Sequence, residues 1–192
     1  MKRVSFLLAS LAIFLSACQT GSPERARVDR TEVTPGLSEI ELIDIAVLAP
    51  EVATPSDVVL STKIRATARR VLLDAKRYSV PQDAFIDTAI AEHPGATDPG
   101  RVASVTGADA ALVIKLSQWD TGELIGKGRI YAGGEAVLHG KDGGVLWKRV
   151  FQDWPRIAAA NVTPSNRGEV TNEMLNLTIR EILDKLPAKA RR

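Results

Sequence analysis

The chain has 192 residues, with 25 lysines and arginines against 23 aspartates and glutamates, a formal net charge of +2, and one cysteine. So even a balance excludes the global basic field that holds nucleic acid or coats an anionic membrane. A single cysteine, Cys18, excludes both an intramolecular disulfide and a multi-cysteine metal site.

The chain opens with Lys2 and Arg3, then an apolar run over residues 4–15 interrupted only by serines. That run is short of the roughly 20 apolar residues a transmembrane helix needs, which argues for an export signal over an uncleaved anchor. Its end, Leu15-Ser16-Ala17-Cys18, resembles the lipobox of bacterial lipoproteins. The resemblance implies a signal peptide over 1–17, cleavage before Cys18, a diacylated Cys18 thiol and an acylated new amino terminus. Gln19 in place of aspartate is associated with sorting to the outer membrane. The expected location is therefore the outer membrane, lipid-anchored and facing the periplasm, with exposure at the cell surface left open. Loss of Lys2 and Arg3 leaves 23 cations against the same 23 acids. Membrane residence would then rest on the acyl chains, at about 0.8 kcal/mol per buried CH₂.

Residues 18–37 read as a lipidated cysteine followed by a flexible tether. Gly21, Ser22, Pro23, Pro35 and Gly36 punctuate a polar stretch with almost nothing to bury, too little to offset the entropy of ordering. Residues 38–186 have the size of one domain, and 187–192 form a basic tail expected to fray.

Within the domain, the β-branched apolar run 43–49, stopped by Pro50, predicts a strand covered on both faces, taken as central in the sheet. Residues 62–78 predict a helix with Ile64, Ala68, Val71, Leu72 and Ala75 on one face. Arg65, Arg69, Lys76 and Arg77 lie elsewhere and read as a solvated face rather than a phosphate site. Residues 78–80 predict a short strand and 83–92 a weaker helix. Asp98-Pro99 is a helix start, with an N-cap carboxylate and a proline whose missing N–H costs nothing there. That helix runs to Thr106 and ends at Gly107, and 110–116 follow as a strand.

The second half changes character. Strands over 129–139 and 145–151 flank Gly140-Lys141-Asp142-Gly143-Gly144, which predicts an antiparallel hairpin whose second strand lies at the sheet edge, open to self-association. A broad amphipathic face from Val170 to Leu186 predicts a closing helix over 169–186, ended by Pro187. The fold class that results is α/β: a single domain, with helices packed on a mixed central sheet and a late antiparallel hairpin, preceded by the lipoprotein signal and flexible tether.

Ile45-Ala46-Val47-Leu48-Ala49-Pro50, Gly107-Ala108-Asp109-Ala110 and Gly144-Val145-Leu146-Trp147 together resemble a family of small bacterial lipoproteins of unknown function, which includes a meningococcal surface antigen. The unit is similar, more distantly, to the amino-terminal domain of TolB and to the curli-secretion lipoprotein CsgG. The resemblance spans most of 43–186 and implies a fold rather than an activity. No pair of long amphipathic hairpins is present to supply the membrane strands of CsgG, so a secretion channel is not implied.

Few residues point to chemistry. Asp109 has a structural reading, bonding nearby backbone N–H groups as the chain enters the sheet, beside a catalytic one. Trp147 shares a strand face with Val145, Arg149 and Phe151 and reads as core. Trp119 and Trp154 fall near strand ends, where an aromatic seals the core or meets a partner. His93 and His139 form no H-E-x-x-H pair, and no G-x-S-x-G elbow marks a nucleophile. Gly126-Lys127-Gly128 and Gly133-Gly134 lack P-loop spacing and read as strand edge or bulge. No catalytic residue, cofactor or metal is expected. The expected role is a non-enzymatic envelope module for assembly, transport or docking, with an envelope protein partner and a possible homo-oligomer. The alternative is a periplasmic small-molecule binder or hydrolase with its site near Pro50 and Trp119.

Overall fold

In a computed structural model, residues 26–189 are described, apart from 36, 38, 39, 54–57 and 160. The expected signal and Cys18 lie outside the described residues. The elements in chain order are β1 (Val28–Val33), β2 (Ile45–Val47), β3 (Glu51–Val52), α1 (Val58–Asp74), α2 (Asp83–Glu92) and α3 (Pro99–Val105). There follow β4 (Ala110–Asp120), α4 (Leu124–Lys127), β5 (Arg129–Gly140), β6 (Val145–Ile157) and α5 (Arg167–Asp184).

Six strands make one mixed sheet in the order β1-β6-β5-β4-β2, with β3 also paired to β4. β2 and β3 run parallel to β4, and the other pairings are antiparallel. This confirms the single mixed α/β domain with its late hairpin. Two placements differ from expectation. β2, read as central, ends the sheet order: α1 and α2–α3 bury its two faces, and an apolar run reports covered faces, not sheet position. The second strand of the hairpin, read as an edge, is interior because β1 pairs along it from Val28↔Gln152 to Val33↔Trp147. The stretch read as tether therefore contributes a strand over Val28–Val33.

The outer side of β2 is closed by other means. Asp44 bridges Ser79, so the segment expected as a short strand makes a single parallel bridge. Arg65, expected in solvent, is buried: its Nε donates to Val47 O at 2.9 Å and its Nη1 reaches Asp87 at 2.8 Å, so α1 and α2 are tied around the edge of β2.

One face of the sheet packs against α1 and α5, where Ile64, Leu72, Ile179 and Ile182 meet Leu112, Ile114, Leu116, Trp147 and Phe151. Burying such side chains contributes about 1.5–3 kcal/mol each. The other face is covered by α2 and α3 only at its β2 end, where Ala46, Ile86, Val102 and Ala108 cluster. Toward β6 that face is open, with Lys115 and Ser117 of β4 and Gln152 of β6 exposed. The start of the expected tail is held, since Lys189 N–H donates to Lys76 O and Tyr78 O–H to Pro187 O.

Candidate functional site

Asp109 sits between α3 and β4. Gly107, at φ +73°, ends the helical turn in the left-handed conformation and turns the chain into the strand. The Asp109 carboxylate accepts from the backbone N–H of Ile43 at 2.9 Å and of Asp44 at 3.1 Å, and pairs with Lys141 at 3.2 Å. Partial burial works against its charge, but those N–H bonds and Lys141 outweigh it and hold the carboxyl below its ordinary pKa. A carboxylate so occupied clamps the start of β2 to the start of β4 and to the hairpin turn; it is a poor general base.

Trp154 is buried within β6, not at its end, because the strand continues through Pro155 to Ile157. Its indole N–H donates to Val28 O at 3.0 Å, and its ring lies 5.1 Å from that of Phe151. Three guanidinium groups surround it, those of Arg149, Arg156 and Arg27, at 4.6, 4.9 and 5.0 Å from the ring centroid. Arg149 pairs with Asp29, Arg156 with Glu181, and Arg27 with both acids. Arg149 also donates to the carbonyls of Glu181 and Ile182 near the end of α5. The Arg149 bond holds the Asp29 carboxyl below its ordinary pKa against the opposing effect of burial. The cluster fastens β1 to β6 and β6 to α5. An arginine between Trp147 and Phe151 on an apolar strand face was its sequence signal; its acidic partner lies 120 residues earlier, beyond the reach of any local pattern.

Trp119 is half-buried, bridging the main core and a satellite cluster of Leu124, Ile130, Val162, Val170 and Met174. It does not line the depression of about 360 Å³ at the carboxyl ends of β2 and β3, formed by Pro50, Glu51, Val52, Val58 and Ser61. Asp109, Trp119 and Trp154 are thus not brought together into one site. His93 Nδ1 donates to Ala89 O, and His139 Nδ1 to Gly143 O. Among the described residues no group of three or more His, Cys, Asp or Glu is placed to hold a metal ion. Gly133 lies at a register shift in β5, the expected bulge, whereas Gly126 and Lys127 belong to the short α4 with Gly128 left-handed after it.

The fold is similar to that of solved proteins. A PelC dodecamer from Paraburkholderia phytofirmans is similar at a TM-score of 0.56 and 14% identity, over 84% of this chain and 99% of that one. The chain shares the fold of PelC. A second PelC dodecamer structure gives 0.52 and 15% identity, over 87% and 100%. Protein CT253 of Chlamydia trachomatis gives 0.50 and 14%, over 75% and 95%. Similar structures also include the lipoprotein GNA1162 of Neisseria meningitidis, at 0.48 and 19%, over 71% and 97%. No family model and no curated protein matches the chain. Among the described residues no helix is long and apolar enough to cross a membrane.

Proposed function

We propose that the protein is a lipid-anchored module of the cell envelope, acylated at Cys18, held at the outer membrane facing the periplasm, and acting by docking rather than catalysis. The lipobox-like Leu15-Ser16-Ala17-Cys18 supports the anchor, and Gln19 the sorting. The observation that carries the docking role is that the residues offering chemistry in the sequence are engaged in holding the fold: Asp109 clamps strand starts, Trp154 seats β1, and Trp119 joins two apolar clusters. What remains for function is surface. PelC, with the same fold, is a dodecamer, which supports self-association as one form of that docking.

The second reading, a small-molecule site, is favoured by the depression at Pro50, Glu51 and Ser61, at strand carboxyl ends where α/β ligands bind.

Full-length protein made in cells fed an alkyne-bearing fatty acid tests the anchor. The expected result is label on the wild type in the outer-membrane fraction, and an unlabelled Cys18→Ala variant that does not sediment with membranes. Unlabelled wild type in the soluble periplasmic fraction would overturn it.

A further inference from the structure

We propose that the outer side of β1 is an interface for a second copy of this chain, the two β1 strands pairing antiparallel about a twofold axis through Thr31. Among the described residues β1 pairs with β6 alone and ends the sheet. Its residues from Asp29 to Val33 are exposed and no proline or bulge interrupts it, so its protection as an edge is charge, from Asp29, Arg30 and Glu32, which a register that pairs opposite charges neutralises. It is nonetheless held in place, by Arg149 on Asp29 and by Trp154 on Val28 O. An edge strand already ordered gives up little further entropy on pairing.

The register follows from geometry and charge. Thr34 N–H donates to Leu146 O. Alternation along an antiparallel ladder then directs the backbone groups of Thr34, Glu32 and Arg30 toward β6, and those of Val33, Thr31 and Asp29 outward. Residues directly opposite in a continued sheet share a face, so odd positions pair with odd and even with even. Of the registers that overlap by three residues or more, the one centred on Asp29 sets two aspartates against each other, and three others remain. One sets Arg30 against the partner's Arg30 and one sets Glu32 against the partner's Glu32. The third sets Thr31 against the partner's Thr31 and places Arg30 opposite the partner's Glu32 twice over. Opposite charges directly across stabilise a strand pair and like charges destabilise it, so the third register wins. It also puts the Arg30 pairs at the non-hydrogen-bonded positions, where side chains approach most closely.

A six-residue strand makes a small interface, so the pairing is weak in dilute solution and grows with local concentration. It does not depend on the envelope role, although a lipid anchor would raise that concentration.

Thr31→Cys in the full-length chain tests it. The Cα atoms of a hydrogen-bonded antiparallel pair lie about 5.5 Å apart, within disulfide range. Mild oxidation is expected to give a covalent dimer from Thr31→Cys, none from Arg30→Cys or Glu32→Cys alone, and a mixed dimer when those two are combined. On the Thr31→Cys background, Arg30→Glu and Glu32→Arg should each lower the dimer yield about tenfold, and mixing the two should restore it as a heterodimer. Equal self-cross-linking at positions 30, 31 and 32, indifference to the charge changes, or capture of a different protein in place of a dimer would overturn the proposal. The same series on Cys18→Ala protein at high concentration separates the two readings: register-specific pairing there upholds the interface even if the anchor fails.

Discussion

Arg149 closes a two-point ion pair on Asp29, Nε to Oδ1 and Nη2 to Oδ2, both at 3.0 Å, with the guanidinium buried beneath α5. The pair spans 120 residues and joins the first strand to the sixth. Asp29→Ala leaves a buried cation without its acid, a loss of about 2–3 kcal/mol, and frees β1 before the rest of the sheet. Hydrogen exchange should show the amides of β1 opening faster while those of β4 are unchanged.

Trp154 separates packing from polarity in the same latch. Trp154→Phe keeps an aromatic ring among the three guanidinium groups but removes the bond to Val28 O, a loss of about 1 kcal/mol. Trp154→Ala empties a fully buried site and costs about 3–5 kcal/mol. Urea midpoints should fall in that order.

Asp109 and Asp29 make stability sensitive to acid. Both carboxyls have folded pKa values below the unfolded value of about 3.9, so the stabilisation they provide is fully present above that pH and is lost as pH falls through the folded values. Denaturation midpoints should be flat from neutrality down to about pH 5 and fall below about pH 4. Asp109→Asn should be less stable at neutral pH by about 1–2 kcal/mol and show a shallower acid limb.

Gly134 of β5 lies against Lys115 and Leu116 of β4 with no room for a side chain. A Cβ there would stand 1.9 Å from Lys115 O, so Gly134→Ala must push β4 and β5 apart. A loss above about 3 kcal/mol is expected, or failure to fold. Gly126→Ala, in α4 with open space around the new methyl, should be neutral or stabilising by up to about 1 kcal/mol. Thermal unfolding of the two variants checks the contrast.

Much of the fold was legible because it is written locally. The Asp98 cap bonds Arg101 N–H at 2.9 Å as its position before Pro99 implies, α2 spans Asp83–Glu92 as its pattern predicts, and Asp142 accepts from Gly144 N–H inside the hairpin turn. β1 was not legible. Its sequence, VDRTEV, is polar on both faces because it is an edge strand open to solvent, so neither periodicity nor hydropathy distinguishes it from a tether. α1 begins at Val58, four residues before the expected start at Thr62, with Val58 and Val59 exposed and so adding nothing to the apolar face. Arg65 read as solvated because it lies off the apolar face and carries a charge, yet its Nε donates a long-range bond to Val47 O. At the candidate site, the structural role of Asp109 followed from Gly107 and the strand after it. The role of Trp154 did not, since its partners come from β1 and from the end of α5.

The docking role itself is tested most directly by affinity purification of the full-length protein from chemically cross-linked cells, read by mass spectrometry against the Cys18→Ala variant. The account predicts an envelope component, or further copies of this chain, recovered in stoichiometric amount with the wild type and depleted with the variant. Background alone in both, together with turnover of a small molecule by the purified protein, would contradict it.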